Sequence, residues 1–338
     1  MPERKVTSLD VAAKAGVSQS AVSRVFTPGA SVSKRMAEKV RAAADELGYR
    51  PNVLARSLIT GRSRIIGLVV AYLENQFYPD ALERLSNALQ EQGYHILIFM
   101  ASGTGEGVDQ VIDELLDYQV DGIITASVGM TDEIAARCDA AGIPVVLFNR
   151  GQEDLRLSEV TSDNLAGARK IAEFLVAGGH KRIGHITGWT GSSTGRDREA
   201  GFRAGLAEAG AAPIIVRDGH YRRAEAAAAA REMVEIAEVD AIFVGNDHMA
   251  FAVMDELRFS MGLSVPKDVS IVGYDDVPLA AWPAYQLTTL RQPSGRMVDA
   301  TVSALLDRIA SPDTAPRKIA IDGPLIVRAS ATVPEGWE

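Results

Sequence analysis

The sequence has one cysteine, Cys138, in 338 residues. That excludes an internal disulfide and every cysteine-rich metal site, and it leaves a small apolar side chain expected to be buried and inert on a helix. No apolar run approaches the roughly 18 residues that a membrane-spanning helix needs. The opening residues, "MPERKVTSLD", are polar and lack the apolar core of a secretory signal, so the chain reads as cytoplasmic, with no membrane partner. The five histidines do not show metal-ligand spacing. His180, His185, His220 and His248 read as surface or supporting residues, and His95 as the start of a strand. A glycine-rich stretch, "SGTGEG" at 102–107, follows a strand, but its spacing matches neither a dinucleotide fingerprint nor a Walker loop with its lysine. No cofactor and no metal is expected, and no nucleophile constellation suggests an enzyme.

The net charge of −9 conceals an asymmetry. Residues 1–64 carry twelve Lys/Arg against five Asp/Glu, a balance of +7, while the remainder is strongly acidic. A basic N-terminal unit on an acidic body is the pattern of a chain whose first part meets a polyanion.

That basic unit reads as three short helices. Thr7 caps the first, with Asp10 completing a capping box, and Gly16 ends it. Ser18 caps the second, on which Val22, Val25 and Phe26 share one buried face. Gln19, Ser20, Ser23 and Arg24 therefore share the opposite face. Ser33 caps the third helix, with an apolar stripe of Met36, Val40, Ala44 and Leu47 before Gly48. Two helices joined by a tight glycine-containing turn make a helix-turn-helix. An amide, two hydroxyls and a guanidinium near the start of the second helix suit base readout in a DNA major groove. The other reading of these fifty residues is a small helical bundle with a polar surface. With the capping residues Thr7 and Ser18, the four outward side chains form the candidate DNA face.

Beyond residue 62, apolar runs alternate with amphipathic stretches. "RIIGLVVAY", "HILIFM", "DGIITA", "PVVLFN", "RIGHITG", "PIIVRD", "DAIFVGN" and "VSIVGYDD" are candidate strands. Helices are expected near 80–92, 107–118, 131–141, 163–177, 196–209 and 246–261, and the alanine run 225–230 as a surface helix. This alternation predicts an α/β body of parallel sheets, with ligands bound outside the carboxyl ends of the strands. Residues just past those ends are Asn75–Pro79, Asn149–Arg150, Thr190–Arg198, Tyr221, Asn246–Asp247 and Asp275–Asp276. Such amides, charges and rings can bond the adjacent hydroxyls of a sugar and stack on its faces. Asn246 also suits the N-cap of the following helix, and Arg150 and Asp276 could hold turns or bridge subdomains.

The stretches "VTSLDVAAKAGVSQSAVSRVF", "VSKRMAEKVRAAADELGYRPN" and "LARSL" resemble the DNA-binding headpiece and hinge of the LacI/GalR transcriptional regulators. The resemblance continues through "DGII", "IPVVLFNR", "GHKRIGHI", "RDREAGF", "GNDHMA", "VSIVGYDD" and "LTTLRQP". It implies an all-α helix-turn-helix headpiece over 1–50, a hinge helix over 51–61, and a periplasmic-binding-protein-like body over 62–338. The body would comprise an N-subdomain (about 62–161 and 291–320) and a C-subdomain (about 162–290 and 321–338), joined by three crossovers. In the hinge, the resemblance implies that Asn52 caps, that Leu54 packs on its mate and that Leu58 wedges into the minor groove. Ala55 would lie close to the groove floor and Arg56 on phosphate. In the cleft it marks Phe77, Asn149, Arg198, Tyr221, Asn246 and Asp275 as effector contacts, and Arg196 joins the candidates from its place in the stretch Thr190–Arg198. The implied function is a sequence-specific repressor of palindromic or pseudo-palindromic operators, controlled by a sugar-like effector. The implied assembly is a homodimer without a coiled-coil tetramerisation tail, since no leucine heptads follow "VRASATVPEGWE". A solute-binding protein would share the two-lobed body, but a basic headpiece without a secretory signal argues against it.

Overall fold

The computed structural model describes residues 6–27, 30–50, 62–101, 108–212 and 214–337. It divides into two units, Met1–Ser63 and Arg64–Glu338. The hinge positions Asn52, Leu54, Ala55, Arg56 and Leu58, and the glycine-rich 102–107, lie outside the described residues.

The first unit has helices α1 (Ser8–Ala15), α2 (Gln19–Val25) and α3 (Lys34–Leu47). Its local chemistry sets each boundary. The Thr7 hydroxyl accepts from the Asp10 amide at 3.4 Å while the Asp10 carboxylate accepts from the Thr7 amide at 2.8 Å, a complete capping box. Ser18 and Ser33 cap α2 and α3 with their hydroxyls alone, accepting from the Ala21 and Met36 amides. Gly16 and Gly48 end α1 and α3 in the left-handed conformation that glycine adopts without strain. Val11, Ala12, Ala15, Val22, Val25, Val40, Ala43 and Ala44 form the core between the helices. Phe26 caps the end of α2 rather than extending it, and its ring lies 6.0 Å from that of Tyr49.

The second unit contains two parallel-sheet layers. Its strands are β1 (Ile65–Val70), β2 (His95–Met100), β3 (Gly122–Ala126), β4 (Val145–Phe148), β5 (Ser158–Ser162) and β6 (Ile183–Thr187). They continue with β7 (Ile215–Asp218), β8 (Ala241–Val244), β9 (Ser270–Asp275), β10 (Thr288–Arg291), β11 (Lys318–Ile321) and β12 (Leu325–Ile326). Its helices are α4 (Phe77–Glu91), α5 (Val108–Asp117), α6 (Asp132–Ala140), α7 (Asn164–Ala177), α8 (Ser193–Glu208), α9 (Arg223–Ala237), α10 (Asp247–Asp255) and α11 (Ser294–Ala310). A π-helical turn, Glu256–Ser260, prolongs α10.

One sheet has the order β11-β5-β4-β3-β1-β2 and the other β12-β10-β9-β8-β6-β7. All pairings are parallel except β10 with β12, which is antiparallel. The chain passes between the sheets three times: after Ser162, after Arg291 and after Ile321. Strand alternation distributes the apolar run of β1 to both faces. Ile66, Leu68 and Val70 join the core that holds Leu85 of α4 and Leu305 of α11, whereas Val69 joins that of Ile112 and Ile134 on α5 and α6. Each such fully buried aliphatic side chain contributes about 1.5–3 kcal/mol.

The alanine run is helical, but it is more than a surface feature: Ala226 and Ala230, one turn apart, are fully buried against the core. His185 is also corrected. It is fully buried, stacked on Phe243 at 4.4 Å between ring centroids, with Nδ1 2.9 Å from the Phe243 carbonyl. Burial pushes its pKa down to about 4, so it is a neutral core histidine. Cys138 is buried on α6, and burial pushes its thiol up to about 11. Among the described residues, no helix is long and apolar enough to cross a membrane.

Candidate functional site

In the first unit, Ser18, Gln19, Ser20, Ser23 and Arg24 are all exposed, while Ala21, Val22 and Val25 of the same helix are buried. The Gln19 amide donates to the Ser8 hydroxyl at 3.0 Å, tying the start of α2 to α1, and Ser18 and Ser20 hydroxyls lie 3.0 Å apart. Thr7 and Ser18 use their hydroxyls as caps. The result is a short helix whose outward face offers hydrogen-bonding groups that its own core does not consume.

In the second unit, strand ends from both sheets converge on a chamber lined by Tyr72, Asn75, Tyr78, Ser127, Asn149, Arg150, Thr194, Arg198, Tyr221, Asn246 and Asp275. The expected residues Asn149, Arg198, Tyr221, Asn246 and Asp275 thus come together. Arg196 does not join them; it is exposed and lines an adjoining outer groove. Phe77 is a correction. It lines neither the chamber nor the groove; its ring packs in the core at 6.1 Å from Phe148 and 5.3 Å from Tyr78. The aromatic residues from this side of the chamber are instead Tyr72 and Tyr78, which stand 5.6 Å apart. Tyr72 and Ser127 fell just outside the strand-end windows read from sequence.

Arg198 is fixed before any ligand arrives. Nε donates to Asn164 Oδ1 at 2.8 Å, Nη1 to the Gly245 carbonyl at 2.5 Å, and the guanidinium sits 3.6 Å from the Tyr274 ring centroid. Its Nη2 is 3.9 Å from Asp275 Oδ1. Asp275 also accepts from Gln292 at 2.6 Å and, across the cleft, from Asn75 at 3.0 Å. Asn246 caps α10 through the Met249 amide at 3.0 Å, so its capping role and its place in the chamber coexist. Two further bonds close the cleft: Arg150 to Ser192, and the Gly151 amide to Ser193 Oγ at 2.8 Å. With the subdomains held this way the chamber retains about 10 Å³, room for about one water molecule.

Two features make the chamber the candidate binding site. Asn149 Oδ1 and Arg150 Nε are buried with no hydrogen-bond partner among the protein's own groups, so they stay available to a water or a ligand. Ser127, Asn149, Tyr221, Asp275 and Asp276 all hold positive φ, at 64°, 55°, 58°, 133° and 58°. Backbone strain concentrated at strand ends around one cavity is characteristic of functional sites. Tyr221 lies flat on Gly188, where a Cβ would fall 2.0 Å from its ring. Asp276 bridges Arg291 at 2.6 Å and Arg328 at 2.7 Å, so it braces the turn. His180 and His248 are partly buried and His220 is exposed, and none of the three lines the chamber.

Residues 7–52 match the pattern of bacterial regulatory proteins of the lacI family, and residues 172–331 that of the periplasmic binding protein-like domain. The HTH-type transcriptional regulator CelR of Thermobifida fusca is 34% identical over 342 residues, spanning 98% of this chain and 100% of CelR. A solved CelR–cellobiose complex superposes with a TM-score of 0.73 at 32% identity, covering 96% of this chain and 100% of that one. The lac repressor dimer bound to operator and the anti-inducer ONPF gives a TM-score of 0.86 at 28% identity, covering 97% and 99%. The chain belongs to the LacI family of bacterial transcriptional regulators.

Proposed function

We propose that this regulator is a repressor that binds a palindromic operator as a homodimer and adjusts its grip to a sugar or sugar derivative held in the body's chamber. The observation that carries this reading is the chamber itself. Residues from the ends of separate strands, Asn149, Tyr221 and Asp275 among them, converge with Arg198 on a strained cavity with unpartnered polar atoms. Paired amide, carboxylate and guanidinium groups bond vicinal hydroxyls in two-point fashion, and Tyr72 and Tyr221 supply faces for ring C–H groups.

For DNA, α2 is the reading helix, with Gln19, Ser20, Ser23 and Arg24 as base contacts and Thr7 and Ser18 near the backbone. The hinge positions Asn52, Ala55, Arg56 and Leu58 extend this contact into the minor groove. A dimer doubles the half-sites read. Large exposed apolar side chains fit an isologous contact on the body: Phe259 (82% exposed) and Trp282 on one subdomain, Ile98 and Met100 on the edge strand β2 of the other. An effector that binds one relative angle of the subdomains better than another shifts the population of DNA-binding states.

The test is selection of binding sequences from random duplexes with the full chain, followed by titration of the selected operator with neutral sugars. Selection of an inverted repeat, weakened by Gln19→Ala and Arg24→Ala, is the expected result. Enrichment of no sequence, or retention of full specificity by both variants, would overturn the assignment of α2.

A further inference from the structure

The outer groove beside the chamber measures about 1060 Å³ and is far larger than the space within the closed chamber. Ser127 and Arg150 line both, so the two spaces adjoin at these residues. The Arg150 guanidinium donates there to the Ser127 carbonyl at 2.7 Å and, in the other subdomain, to Ser192.

The groove's chemistry narrows what it can take. Its ionisable lining is five carboxylates (Asp132, Glu153, Asp154, Glu159, Asp197) against three cations (Arg150, Arg196, Lys318). Lys318 lies 3.5 Å from Glu159, so part of the positive charge is already engaged. With carboxylates in excess, the groove does not gather a phosphate or other anion. The groove also carries Trp189, which is 44% exposed. Its indole lies against Gly191, where a Cβ would fall 2.3 Å from the ring, so backbone rather than a rotamer-rich side chain sets its position. An exposed, pre-positioned indole among hydrogen-bonding groups of mixed charge is a surface for the apolar face of a neutral polyol ring.

We propose that the effector is a neutral oligosaccharide of at least two rings, one held in the chamber and the next along the outer groove against Trp189, with the linkage passing at Arg150. This rests on the reading of the chamber as a sugar site. It adds the ligand's length and its lack of charge. Binding exchanges the Arg150–Ser192 and Gly151–Ser193 bonds for bonds to the sugar, so the occupant of the groove acts directly on two of the contacts that close the cleft.

The experiment is calorimetric titration of the full chain with glucose, galactose, xylose and mannose, their common di- and trisaccharides, and glucose 6-phosphate. At least one disaccharide should bind about tenfold or more tighter than its own monosaccharide. Trp189→Ala should remove that gain and leave the monosaccharide within about twofold, and Trp189→Phe should restore most of it. The proposal is overturned if no disaccharide exceeds its monosaccharide, if glucose 6-phosphate binds best, if Trp189→Ala weakens both sugars alike, or if none of the panel binds. Monosaccharide binding that is lost in Asn149→Ala but gains nothing from a second ring would keep the chamber reading and remove only the groove. Operator binding by the same preparation reports separately on the regulator.

Discussion

Replacing Asp247 by asparagine should flatten the pH dependence of the body's stability. The Asp247 carboxylate is fully buried, accepting from Thr289 Oγ1 at 2.6 Å and from the Val277 amide at 3.0 Å. Burial, and after it the charge of Asp275, push its pKa up to about 8. Burial raises Asp275 too, but Arg198, Asn75 and Gln292 face that carboxylate, so the proton of the pair settles on Asp247. An unfolded aspartate titrates near pH 4 (about 3.9). Between about pH 4 and the raised value the folded chain therefore binds one proton more than the unfolded chain. Asp247's contribution is fully present below pH 4 and declines as pH rises, by about 1.4 kcal/mol per pH unit. In Asp247→Asn the amide oxygen can accept from Val277 while Nδ2 donates to Thr289, so the bonds survive without the titration. Wild-type stability relative to the variant should then fall by roughly 3 kcal/mol between pH 5 and pH 7. Urea denaturation followed by tryptophan emission measures this cleanly, because Trp189, Trp282 and Trp337 all lie in the Arg64–Glu338 unit. A wild-type–variant difference that stays constant over that range would refute the assignment. If Asp275→Asn shows the slope instead, the proton sits on Asp275.

Other predictions address packing and the buried histidine. A Cβ at Gly201 of α8 would fall 2.3 Å from the Leu165 carbonyl of α7, so Gly201→Ala should cost about 1–3 kcal/mol, read as a lower urea midpoint. His185, held down to about 4, imposes the opposite linkage to Asp247: its depressed pKa costs stability as pH falls below about 6.5, fully below pH 4. His185→Phe should therefore gain on wild type by about 1.4 kcal/mol per unit from pH 6 to pH 5; a flat difference would show that the ring is protonated in the fold. Asn75→Ala removes a bond that spans the cleft to Asp275 and should increase hydrogen exchange of the amides at the chamber rim, while leaving the cores of both sheets protected.

The sequence made the strands legible where burial on both faces required continuous apolar runs, as in "IIGLVV" and "SIVGYD", and the three helix starts where Thr7, Ser18 and Ser33 supply caps. It concealed β5 ("SEVTS"), β10 ("TTLR"), β11 ("KIAI") and the two-residue β12. These strands are short or polar, and their pairing is set by partners distant in the chain, such as Lys318 with Glu159. Helix α11 was likewise unread, since nothing local shows that it packs on α4. The chamber was half legible. Position after a strand end identified Asn149, Tyr221, Asn246 and Asp275, but it could not separate Phe77, which turns into the core, from Tyr78, which reaches the cavity. Closure depends on Asn75 meeting Asp275 from 200 residues away, and positive φ at Ser127 or Asp275 has no signature in a residue type that usually avoids it.

The central claim is that one chain couples sequence-specific DNA binding to a ligand in the body's chamber. Fluorescence anisotropy of the full chain on its selected operator, with and without the sugar that binds best, tests it most directly. The account predicts an affinity for operator about a thousandfold or more above that for a scrambled duplex, falling steeply with salt. It further predicts a shift of about tenfold or more in that affinity on adding the sugar, abolished by Asn149→Ala or Asp275→Ala. Equal affinity for scrambled DNA, or an operator affinity unmoved by a sugar that saturates the body, would contradict it.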